Sequence, residues 1–137
     1  MPGMSYTNHA EVKQLLLDEA ESIQDGDTPD VDSETLVALA KDDQTEPEVV
    51  AVLEDLNWNL NSESLEVALA GRADVGVRDH YAYSDYFSVV AAYVSNPAVP
   101  VEALHLVNDA LIGSDYYNDF TDEEKEELAK TVQTRLS

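Results

Sequence analysis

Asn96-Pro97-Ala98-Val99-Pro100-Val101-Glu102-Ala103-Leu104-His105-Leu106-Val107 reads as the entrance to an apolar helix. The same plan occurs twice upstream, as Thr28-Pro29-Asp30-Val31-Asp32-Ser33-Glu34-Thr35-Leu36 and Asn57-Trp58-Asn59-Leu60-Asn61-Ser62-Glu63-Ser64-Leu65. Each copy has a turn residue, Pro or Trp, an apolar anchor (Val31, Leu60 or Val99), two linking positions, then Glu, a small residue and Leu. The anchor can staple the incoming chain onto the helix behind it. Ser33 and Ser62 have N-cap chemistry, and Glu34, Glu63 and Glu102 place negative charge in a first turn, where the helix dipole favours it. Recurrence at a few tens of residues is the mark of stacked helical repeats.

Helical signals continue on both sides. Residues 1–7 read as a loose leader, and Asn8-His9-Ala10-Glu11 as a capping box opening an N-terminal helix over 8–24, with Val12, Leu15, Leu16 and Ile23 at helical spacing. The repeat array is expected over 28–112. Its first helix covers about 34–42; a Thr45-Glu46-Pro47-Glu48 capping box opens the next, and a third spans about 63–70. Gly71 to Tyr83 spaces the second and third copies further apart and reads as an insertion in which Asp74 to Tyr83 has room for a short hairpin. Ser84-Asp85 then starts a helix that Asn96-Pro97 ends. After an aromatic, acidic loop, Thr121-Asp122-Glu123-Glu124 caps a C-terminal helix over 121–136, with Leu128, Val132 and Leu136 at steps of four. The expected fold is all-α, a short α-solenoid of about three helical repeats between flanking helices.

Pro47 to Leu53 followed by Asn57 to Ala70, and again Asp85 to Asp109, resemble units of the leucine-rich repeat variant family. More distantly they are similar to HEAT and armadillo repeats. The likeness covers residues 28–110 and departs from the family where Trp58 replaces a proline, where 71–83 interrupts the period, and in lacking most of the family's basic residues. It implies an α-helix alternating with a shorter helix, and a surface presented to another macromolecule.

At 137 residues the chain is one domain by length, and 44% hydrophobic residues mark it as globular rather than as a disordered acidic tail. Asp+Glu 29 against Lys+Arg 7 gives a net charge of −22. Such a chain repels nucleic acid and anionic membrane surfaces alike. The absence of a spanning apolar run or a basic leader points to a cytoplasmic protein, and the absence of cysteine removes thiol chemistry.

Motifs for catalysis are missing. Asp25, Asp27, Asp30, Asp32 and Glu34 crowd a turn, but Asp30 and Leu36 stand where a calcium loop opening at Asp25 needs Gly and Glu. His9, His80 and His105 share no metal-binding spacing, and no nucleophile elbow or phosphate loop occurs. The expectation is therefore a binding protein with no catalytic residue, cofactor or metal.

The aromatic residues carry the site assignment. Tyr81, Tyr83 and Asp85 by the insertion, with Asp115, Tyr116, Tyr117 and Asp119 in the late loop, form an expected partner-binding patch for a basic protein surface. Tyr86, Phe87, Tyr93 and Phe120 are expected to fill gaps between helices, as is Trp58, whose alternative role is an exposed anchor. Three explanations fit the charge: steering of a basic partner, a halophilic cytoplasm, or imitation of DNA by an inhibitor of phage or mobile-element type. An interaction module ranks first, a DNA mimic second and an enzyme third.

Overall fold

Proline decides where the repeated entrances are open loop and where they are helix. The computed structural model describes residues 9–113 and 116–137, which form nine helices and no strand. They are α1 (His9–Asp18), α2 (Ala20–Gln24), α3 (Ser33–Lys41), α4 (Pro47–Leu60), α5 (Glu63–Ala70), α6 (Asp79–Ala82), α7 (Phe87–Ser95), α8 (Val101–Ile112) and α9 (Asp122–Leu136). Ahead of α3 and α8, Pro29 and Pro97 lack a backbone donor and hold the preceding residue out of the helical region, so the chain enters as a loop. Trp58 keeps its N–H, and α4 runs through Trp58, Asn59 and Leu60 before Asn61 stops it in the left-handed region at φ 50°.

All three glutamates nevertheless stand in the first turn of a helix, Glu34 in α3, Glu63 in α5 and Glu102 in α8. The caps differ from expectation. Asp32, not Ser33, caps α3 by accepting from the Glu34 N–H at 3.2 Å, while Ser62 accepts from the Leu65 N–H at 3.4 Å ahead of α5. The anchors differ too: Val99 is buried, Val31 half-buried and Leu60 exposed, since Leu60 lies on the last turn of α4. Trp58 is 80% exposed rather than in the core. The buried stripe of α4 is Val49, Val52, Leu53, Leu56 and Asn57, and the next position swings away from it.

Packing gathers into two units, one up to Leu69 and one from Ala70. In the first, α4 lies against α1, α2 and α3, burying Val12, Leu16, Ile23, Leu36 and Leu39. The expected helix over 8–24 is a single helical run broken at Glu19, across which Glu19 still donates to Leu15 and Ile23 to Glu19. Its leader and the capping residue Asn8 lie outside the described residues. Asn59 Nδ2 donates to the Ile23 carbonyl at 3.1 Å, satisfying an acceptor at the end of α2. Thr45 turns back to the Leu39 carbonyl at 2.7 Å, at the end of α3, so Glu46 takes the N-cap position of α4 and Pro47 its first turn.

In the second unit α9 packs on α7 and α8, and α6 packs on the same pair. The core holds Tyr81, Val89, Val90, Tyr93, Leu104, Val107, Leu128 and Val132. Residues 71–83 form no hairpin: a turn from Arg72 to Val75 leads into α6. Tyr93 pins this segment, its hydroxyl donating to the Gly76 carbonyl and accepting from the Arg78 N–H, each at 2.7 Å. Gly76 has φ 65°, a conformation that suits glycine. The helix expected from Ser84 begins at Phe87, because Ser84 Oγ accepts from the Tyr86 N–H in a local turn. The Thr121–Glu124 capping box is present in both directions.

The loop after α7 is held from two sides. Buried Asn96 donates to the carbonyls of Ala70 at 3.0 Å and Arg72 at 2.7 Å while accepting from the Ala98 N–H. Arg135 reaches from the last turn of α9 to the carbonyls of Val94 and Asn96, both at 2.7 Å, and Pro97 at 3.3 Å. Arg72 is also inward, forked on Asp74 at 2.8 and 3.2 Å. That guanidinium holds the Asp74 carboxyl below its ordinary range.

The proline rule is testable at Trp58. Trp58→Pro removes a donor and clashes inside α4, and is expected to lower stability by about 2–3 kcal/mol. Trp58→Ala, on the exposed side, is expected to stay within about 0.5 kcal/mol. Urea unfolding followed by far-UV circular dichroism measures both.

Candidate partner-binding cleft

Two tyrosines far apart in the sequence meet face to face. Tyr83 closes α6, and Tyr116 follows α8; their rings stack with centroids 4.4 Å apart and planes 15° from parallel. Beneath them Tyr117 and Phe120 stack at 4.8 Å and 7°, and Phe87 meets Phe120 edge-on at 5.9 Å. Tyr117 and Phe120 are buried, whereas Tyr116 is 45% exposed.

Tyr117 is the pin of the late loop. Its backbone lies in the left-handed region at φ 63°, costly for a bulky residue. The turn is held by the Phe120 N–H donating to the Tyr117 carbonyl, and the Tyr117 hydroxyl donates to the buried Ala82 carbonyl. Burial, with Tyr83 nearby, pushes the Tyr117 phenol far above its ordinary value.

Together Tyr83, Asp85, Tyr116, Tyr117, Asn118, Asp119 and Phe120 line a cleft of about 120 Å³. Asp85 and Asp119 are exposed at its edge. Burial raises the Tyr83 phenol above its ordinary value, and the negative charges of Tyr116 when ionised, Asp79 and Asp109 raise it further.

The expected patch is thus brought together in part. Tyr83, Asp85, Tyr116, Tyr117 and Asp119 share one cleft, with Tyr117 as its floor rather than an outward anchor. Tyr81 is corrected to a core residue: it is 2% exposed and meets Tyr93 edge-on at 5.8 Å. Asp115 lies outside the described residues. Asn118 and Phe120 join the lining, and Asp79 and Asp109 its field, with no local sequence signal to announce them. Tyr93 and Phe120 fill the core as expected, with Tyr86 and Phe87 half-buried. His9, His80 and His105 are exposed, and among the described residues no group of His, Asp and Glu is arranged to hold a metal ion.

No family model, curated protein or solved structure matches the chain.

The Tyr117 hydroxyl sets an alkaline limit. Its folded pKa is raised, so its contribution to stability is complete below the unfolded value of about 10 and is lost as pH rises beyond it. Tyr117→Phe strands the Ala82 carbonyl and is expected to cost about 1–2 kcal/mol near neutrality. Thermal unfolding from about pH 8 to about pH 11 should show a steep alkaline loss in the parent and a shallower one in the variant.

Proposed function

We propose that the protein is a non-catalytic helical interaction module that docks a basic protein surface. The observation that carries this reading is the disposition of charge. Against 29 acidic residues stand seven Lys and Arg. Four of those seven are engaged within the chain: Arg72 on Asp74, Arg78 on the Val77 carbonyl, Arg135 on the loop after α7, and Lys13 on Glu46 at 3.6 Å. Those contacts leave the balance of charge unchanged at −22, a carboxylate field that attracts and orients positive partners.

Helical repeats offer a surface of this kind, and the resemblance of residues 28–110 to leucine-rich repeat variant units supports the same role. The acidic aromatic cleft adds shape to the charge, because aromatic side chains supply contact area that carboxylates alone do not. A cytoplasmic setting and the absence of any cofactor belong to this proposal. No helix among the described residues is long and apolar enough to cross a membrane.

Calorimetric titration with a short lysine-rich peptide tests the charge. Affinity is expected to fall at least roughly tenfold as ionic strength rises from ~0.01 to ~0.15 M, with an acidic peptide of equal length not binding. Absence of binding at the lower salt, or binding indifferent to salt, would contradict the proposal.

A further inference from the structure

We infer that the cleft beside the Tyr83–Tyr116 stack receives one arginine side chain of the basic partner. The inference rests on the interaction-module reading and assigns a specific receptor within it. Three features of the cleft select this occupant over other ligands.

The first is size. A space of about 120 Å³ has room for the four heavy atoms of a guanidinium. The second is the surface offered. Four of the residues lining the cleft are aromatic, Tyr83, Tyr116, Tyr117 and Phe120, and a planar, weakly hydrated guanidinium is better suited to aromatic walls than a compact ammonium. The third is charge. Asp85 and Asp119 enter from different loops and are acceptors suited to a forked donor, and Asp79 and Asp109 add to the negative field at Tyr83. Asp85 and Asp119 repel phosphate and carboxylate ligands, and no lysine or arginine lines the cleft to hold them.

The floor is already organised before any partner arrives. Tyr117 is locked by its hydroxyl and its stack on Phe120, and Phe120 by its edge contact with Phe87. A preformed receptor loses little conformational freedom on binding, which favours selectivity between two cations of equal charge. Arginine should therefore be distinguished from lysine here, whereas the general acidic surface responds to charge alone.

The test compares two peptides, one of lysines only and one identical except for a single central arginine, by calorimetric titration at low salt. The parent protein is expected to bind the arginine peptide roughly five- to tenfold more tightly. Tyr116→Ala and Asp119→Asn should abolish that preference while both peptides still bind, and Tyr116→Phe should retain it because the variant keeps the aromatic wall and loses only the hydroxyl. Both altered side chains are exposed, and circular dichroism verifies that the variants are folded. Equal binding of the two peptides by the parent, or an arginine preference that survives Tyr116→Ala, overturns the cleft assignment and leaves the charge-based proposal standing. Failure of both peptides to bind overturns both.

Discussion

The guanidinium of Arg135 is the hub of the second unit. At the end of α7 the backbone carbonyls have no helical partner, and the turn through Asn96 and Pro97 adds more acceptors. Arg135 lies among them, 2.7 Å from two of these oxygens, and its charge opposes the negative end of the α7 dipole. Asn96 satisfies Ala70 and Arg72 on the other side of the same turn. The entrance to α8 is thereby tied both to α9 and to the segment that leads into α6. Those elements carry Tyr83, and the end of α8 leads to Tyr116, so the cleft inherits its geometry from these hydrogen bonds.

The same arrangement shapes the electrostatics. Burying or half-burying Arg72, Arg78 and Arg135 within the fold draws guanidinium groups away from the outside of a chain that has few of them. The acidic surface repels itself, and the apolar cores of each unit and the satisfied turns oppose that repulsion.

Much of the fold was legible in the sequence because helix ends are local chemistry. The three glutamates, the Thr121 capping box and the apolar spacing of α4, α7 and α9 each act within a few residues, and the helices follow them. Trp58 shows where the pattern misled: aligned with two prolines it suggested a turn, yet only a residue without a backbone donor enforces one. The cleft was partly legible, as Tyr83, Asp85, Tyr116 and Asp119 stand in two aromatic, acidic stretches. Which tyrosine faces outward was not. Tyr81 and Tyr83 lie two apart on a short helix and its cap, and the burial of the first against the half-exposure of the second depends on α7 and α8. Arg135 looked like a favourable charge at a helix end, and its actual targets lie about forty positions upstream, beyond the reach of any local rule.

The most direct measurement is the unfolding free energy of Arg135→Met, which keeps much of the stem's apolar bulk and removes the donors. If the guanidinium organises the loop after α7, the variant loses about 2–4 kcal/mol, and the Asn96 and Ala98 amides exchange with solvent faster than those of α4 in the first unit. A loss under about 0.5 kcal/mol, with unchanged amide protection in that loop, would contradict the account.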